Sequence, residues 1–223
     1  MQAITMTEKL ARLLHLASPA LPVGAYSYSQ GLEAAIEAGV VRDSASAQRW
    51  IGDVLAHSLA SMEAPLFLRL CSAWASGDVA AAERWNALFL ASRETAELRA
   101  ETAQMGYSLA KLLPQLGTGE VLLDEPSFPA AFAHAVAAWR IDPQEALIAY
   151  LWSWAENQVI AVVKALPLGQ TDGQRMLFSL GERLDGIGRR AVQLDDDALG
   201  AFVPGLALLS SRHETQYSRL FRS

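Results

Sequence analysis

A single cysteine, Cys71, stands in a chain of 223 residues, so no internal disulfide can form and a cysteine-rich zinc site is excluded. Set within "LFLRLCSAWA", its thiol reads as a small buried hydrophobe rather than a nucleophile. Charge is scarce too. Asp, Glu, Lys and Arg make up 19% of the chain against 52% hydrophobic residues. Few charges are left to cover a lone surface, which implies that some apolar surface meets a partner. The net charge of −6 argues against a phosphate-backbone binder, and no nucleic-acid partner is expected.

Catalytic signatures are missing as well. There is no phosphate-binding G-x-x-x-x-G-K loop, no G-x-G-x-x-G and no G-x-S-x-G elbow. His213-Glu214 starts like a zinc-protease helix, but Tyr217 stands where the second histidine belongs. Asp195-Asp196-Asp197 is one contiguous run and reads as a solvated helix N-terminus, expected to open the last helix. The four histidines are scattered. No catalytic residue, metal site or cofactor is expected.

The opening "MQAITMTEKLARLLHLA" is interrupted by Glu8, Lys9 and Arg12 and makes no signal-peptide core. The stretch "ALIAYLWSWAENQVIAVVKALPL" carries Glu156, Asn157, Gln158 and Lys164 where a membrane span would be hydrocarbon. It reads as a buried helix, so no membrane partner is expected and a cytoplasmic location is.

What is present is helical. Apolar residues recur at three- and four-residue spacing through Trp50, Val54, Leu55 and Leu59, and again through Leu66, Leu70, Ala73 and Trp74, with Pro65 as a kink or fresh start between them. Asp78 is placed to cap one helix, and Asp142-Pro143-Gln144-Glu145 to open another. Thr171-Asp172-Gly173-Gln174 offers a further capping box. "GTGEVLLDEP" is a loop and the one place a strand could hide. The fold expected is all-α, a single-domain helical bundle over residues 1–223.

Three stretches exceed what a bundle needs. In "SPALPVGAYSYSQGLE", Pro19, Pro22 and Gly24 force a bent path, and Ser27 with Gln30 can cap the following helix. Tyr26 and Tyr28 flank that serine, and residue types alone fit either rings packed inward or rigid interface anchors. "VVKALPLGQTDGQRM" places Lys164 at the carbonyl end of a hydrophobic helix, for which a helix-end cation before a tight turn is a sufficient account. The tail "SRHETQYSRLFRS" sets three arginines beside Tyr217, Leu220 and Phe221, which would share one face if helical. It reads as a segment that folds upon a partner.

In this order and at these positions, "LASPALPVGAYSYSQGLE", "VKALPLGQTDGQRML" and "SRHETQYSRLFRS" resemble the urease accessory protein family UreF. The resemblance implies an all-α homodimer without catalytic activity of its own. Such a protein binds the accessory protein UreD (UreH in some systems), recruits the nickel-carrying GTPase UreG, and docks on apo-urease to support nickel insertion. It further implies partner contacts at Tyr26, with Ser27, Tyr28 and Glu33 of the same motif, and at Lys164, Gln170 and Asp172. In the tail it implies contacts at His213, Glu214, Tyr217, Arg219 and Leu220. The competing readings are a GTPase activator inserting Arg219 as a catalytic finger and a helical small-molecule binder.

Overall fold

The structure, a computed structural model, describes residues 5–201 and 203–223. Ten α-helices carry the described chain: α1 (Met6–Ala17), α2 (Leu32–Glu37), α3 (Ser44–Val54), α4 (Ala64–Ser76), α5 (Val79–Ala91), α6 (Ala96–Leu112), α7 (Phe128–Ala138), α8 (Pro143–Ala165), α9 (Gln170–Gln193) and α10 (Pro204–His213). No strand occurs among the described residues, and the segment 117–127 is an irregular loop.

Local chemistry sets several helix starts. Thr5 and Glu8 cap α1 reciprocally. The Asp78 carboxylate accepts the Ala81 amide, and that of Asp142 accepts the Gln144 and Glu145 amides ahead of Pro143, as the sequence predicts. Other starts differ from expectation. Helix α9 begins at Gln170, with Gly169 as its cap and the Asp172 carboxylate reaching back to the Gly169 amide. Thr171 therefore lies inside the helix rather than capping it. The aspartate triplet does not open the last helix but ends in a short 3₁₀ turn, Asp196–Ala198. Arg69 of α4 grips both Asp196 (2.5 Å) and the Leu194 carbonyl (2.7 Å), which holds the chain there; α10 waits for Pro204.

Helices α3 and α4 are joined without a break by a π-helical stretch, Leu55–Glu63. Pro65 follows it and can donate no backbone hydrogen bond. The Ser61 carbonyl, four residues earlier, accepts instead from Gly200 (3.2 Å). The proline is thus not a fresh start; it marks where the wider helix tightens again.

The core forms around α4, α7 and α8. Helix α7 is made largely of alanine and is enclosed along most of its length, which lets α4 and α6 pack closely on it. Phe67, Phe128, Phe132 and Tyr150 interlock with ring centroids 4.9–5.9 Å apart. At the α6–α7 junction, Gly106 admits backbone: a methyl there would sit 2.0 Å from the Pro126 carbonyl oxygen. Helix α8 is long and apolar enough to cross a membrane by composition, but half of its most apolar window is buried, and it packs against α1, α2, α4 and α9. One hydrophobic core draws residues from Leu13 to Phe221, so the end of the chain belongs to it.

Candidate functional site

The three unusual stretches meet in space. After α1, the chain turns through Gly24 in the left-handed region (φ 80°), makes a 3₁₀ turn over Ala25–Ser27, and passes through two successive left-handed residues, Gln30 (φ 54°) and Gly31 (φ 76°), into α2. Gly31 is required doubly, because a methyl there would stand 3.1 Å from the Ser210 amide nitrogen of α10. The predicted Ser27–Gln30 capping box does not form. Ser29 supplies the hydroxyl that receives the Glu33 amide (3.3 Å). The Gln30 side chain is taken by longer-range partners, donating to Glu101 (2.6 Å) and accepting from the Trp154 indole (2.7 Å).

This path separates the two tyrosines. Tyr26 is 60% exposed, whereas Tyr28 is 6% exposed, and its burial raises the phenol pKa. Asn157 of α8 holds the Tyr28 carbonyl (3.1 Å). Lys164, at the end of the same helix, sets its ammonium over the Tyr26 ring (5.5 Å from the centroid) and the Phe221 ring (5.8 Å). A shallow hollow between these residues is lined by Tyr26, Ser27, Lys164, Leu220, Phe221 and Arg222. It draws on all three stretches.

The tail supplies the largest difference from expectation. Helix α10 stops at His213, and residues 214–223 are not helical, so Tyr217, Leu220 and Phe221 share no helix face. Tyr217 and Leu220 are exposed, but Phe221 is only 7% exposed, and His213 and Ser223 are fully enclosed. The segment is bound to its own chain. Glu33, a buried carboxylate on α2, accepts the Leu220 amide (2.7 Å) and the Phe221 amide (3.0 Å). The Arg222 amide donates to the Ser27 carbonyl (2.7 Å). The Ser223 carbonyl oxygen accepts the Ser29 and Gln30 amides (2.6 and 3.1 Å), and its hydroxyl donates to Glu101 (2.9 Å). Arg219 donates to Glu97 (2.6 Å). His213 lies between carboxylates, its Nδ1 2.7 Å from Glu97 and its Nε2 3.3 Å from Glu33.

Beneath the motif lies a buried polar layer. Glu101 is buried, and burial pushes its carboxyl pKa up to about 7. Beside it Tyr150 donates to Glu63, which also pairs with Arg93 (3.3 Å). These side chains line a cavity of about 70 Å³.

Not every expected residue joins the cluster. Gln170 is exposed at the start of α9 and Asp172 is spent on capping it; neither lines the hollow at Tyr26. Glu214 is exposed, its carboxylate accepting the Glu97 amide (3.3 Å). Cys71 is buried in the core, and desolvation holds its thiol protonated. Among the described residues, no group of three or more His, Cys, Asp or Glu gathers as a metal site. Glu97, Glu101, Trp154 and Ser223 were not picked out by sequence reasoning, and Gln30 and Asn157 were noticed there only as a capping partner and as a polar residue in an apolar helix. Glu97 and Glu101 left a trace there, because a four-residue spacing puts them on one face of α6.

Comparison with known proteins places the chain in a family. The UreF family model matches residues 41–181. A urease accessory protein UreF from Azoarcus sp. (strain BH72) is 59% identical over 223 residues, covering 96% of this chain and 95% of its own. Counterparts from Dechloromonas aromatica (strain RCB) and Janthinobacterium sp. (strain Marseille) are 53% and 52% identical, covering 96–97% of this chain and 98–99% of their own. These alignments include nearly all of the chain, the family-model match lies over its middle, and the chain belongs to the UreF family of urease accessory proteins.

Proposed function

We propose that this protein is a non-catalytic scaffold of urease maturation, a cytoplasmic homodimer. With a UreD-type partner it recruits the GTPase UreG and gates its hydrolysis, so that nickel enters apo-urease as cargo. The observation that carries this reading is the Lys164–Tyr26–Phe221 cluster, a cation set against one exposed and one buried ring on a rigid, over-determined turn. A lysine so placed offers a charge and an aromatic edge to an acidic or carbonyl-rich protein surface, and needs no nucleophile to do so. Tyr26, Lys164 and Leu220 are the exposed contacts; Tyr28, Glu33 and His213 act from beneath by fixing them. Arg219 is engaged with Glu97, which favours an anchoring role over a catalytic finger.

The test is assembly. Light scattering on a size-exclusion column should give a defined complex of this chain, a UreD-type protein and the GTPase. Tyr26→Ala should weaken GTPase recruitment at least tenfold while changing stability by less than about 0.5 kcal/mol, as for an exposed side chain. A chain that elutes alone whatever is added would refute the proposal, and unaltered recruitment by Tyr26→Ala would remove that residue from the interface.

A further inference from the structure

The tail is fastened at a point whose hydrogen bonding depends on one proton. His213 is fully enclosed, and each of its ring nitrogens faces a carboxylate oxygen, Glu97 on α6 and Glu33 on α2. An ionised carboxylate only accepts hydrogen bonds, and a neutral imidazole has only one N–H. Both contacts are therefore satisfied only when the Glu33–His213–Glu97 triad carries one proton more than a neutral ring and two carboxylates would hold. With that proton the local charges balance, since Arg219 also lies on Glu97. Without it, a lone pair points at a carboxylate inside the protein and one negative charge is left over. Other charges nearby add acid rather than base. Glu214 receives the Glu97 amide, Glu101 lies one turn along α6, and Arg212 of α10 points outward.

The same carboxylates hold the strap. Glu33 accepts the Leu220 and Phe221 amides and stands 3.5 Å from the Gln216 amide group. Glu101 holds Ser223. We propose that residues 214–223 form a proton-latched strap. With the extra proton on the triad it is docked; when that proton leaves, the strap lets go. Phe221 then withdraws from Lys164, and Arg222 from the Ser27 carbonyl, which dismantles the hollow at Tyr26. The regulatory consequence for partner binding rests on the scaffold reading above, whereas the latch is a property of the chain alone.

Hydrogen exchange on the full-length chain tests it, after correction for the intrinsic pH dependence of amide exchange. Protection of the Leu220 and Phe221 amides should be constant at acid pH. As the triad's extra proton leaves at higher pH, it should fall by up to tenfold per pH unit. In a Glu101→Gln background, which removes the global pH dependence expected of that buried carboxyl, amides in α7 should not follow. His213→Gln should abolish the slope. Glu97→Gln, whose amide can donate to a neutral ring, should move the fall to higher pH or flatten it, and serves if the first variant fails to fold. PH-independent protection in the unaltered chain would overturn the latch, as would an unchanged slope in a folded His213→Gln. Because no partner is present, failed assembly with intact pH-dependent release would count against the scaffold reading only.

Discussion

Glu33 is the residue on which docking of the tail most depends, and Glu33→Ala gives the sharpest test of that docking. Its carboxylate accepts two backbone amides at 2.7 and 3.0 Å and faces the His213 ring; the Phe221 and His213 contacts are buried and the Leu220 contact is partly so. Alanine would leave the enclosed Phe221 N–H unmet, at about 1–3 kcal/mol, and the Leu220 N–H at less than that, because water reaches it more readily. It would also break a buried charge contact, a loss of about 3–5 kcal/mol by itself when the remaining partner stays buried. The sum overstates the effect, because the tail has a second option. It can detach, hydrate its amides and regain conformational freedom, at the cost of exposing Phe221, which forfeits roughly 1.5–3 kcal/mol. The loss is therefore capped by the free energy of docking.

We expect Glu33→Ala to lower stability by about 2–4 kcal/mol, a drop of roughly 4–16 °C in Tm for a chain of this size. Urea denaturation followed by far-ultraviolet circular dichroism measures it. The cap makes a second demand. Deleting residues 214–223 should cost less in the Glu33→Ala background than in the unaltered chain, since both changes remove one docking event. A Glu33→Ala loss below about 0.5 kcal/mol, the level of an ordinary surface substitution, would refute the docked tail. Fully additive effects would show that Glu33 acts elsewhere.

Two further outcomes follow from the interior. Gly106→Ala would force a methyl to 2.0 Å from the Pro126 carbonyl oxygen and 2.5 Å from the Ser127 carbonyl carbon; backbone cannot step aside as a side chain can, so a loss above about 3 kcal/mol is expected by thermal melting, and a melting point within a degree or two of the unaltered chain would contradict this packing. Glu101, raised by burial from 4.5 to about 7, binds more protons folded than unfolded between those values, so its contribution is fully present below pH 4.5 and is lost as pH rises to 7. That contribution is about 3 kcal/mol, and Glu101→Gln should flatten the stability profile over this window, whereas a profile of equal slope would assign the pH dependence to other groups.

The fold class was legible because periodicity and capping are local. Asp78 and Asp142 act within three residues of themselves, and nothing distant competes for them. The Thr171 box was misread locally, by two residues; the other misread positions are those where a distant group intervenes. Ser27 and Gln30 have the spacing of a capping box, but Trp154 and Glu101 claim the glutamine side chain and the tail amide at Arg222 claims the serine carbonyl. The aspartate triplet has a helix-start composition, but Arg69, more than a hundred residues earlier, captures it. The tail was misjudged for a related reason. Its arginines and hydroxyls look solvated, and the acids that receive it lie on α2 and α6, where only their placement on buried faces distinguishes them from ordinary surface glutamates.

On the scaffold reading proposed above, that geometry also gives the motif a division of labour. Its residues divide into those that present and those that hold. Tyr26, Lys164, Tyr217 and Leu220 face solvent, while Tyr28, Glu33, His213 and Phe221 lie within. Replacing a presenter leaves the core intact, so a lost partner would come without lost stability. Replacing a holder unseats the tail, so both would fall together, and the binding defect would be indirect. Arg219 sits on the border. It is partly exposed, yet its guanidinium completes the charge balance on Glu97 beside His213. The arginine side of this pair is solvent-accessible while Glu97 is largely covered, so screening weakens the pair and most of what holds Glu97 comes from its other partners. A partner can therefore draw Arg219 outward at little cost, provided the proton on the triad remains to hold Glu97. Arg219 and His213 share the Glu97 carboxylate, so under the proposed latch the availability of that arginine and the triad's extra proton are coupled through it.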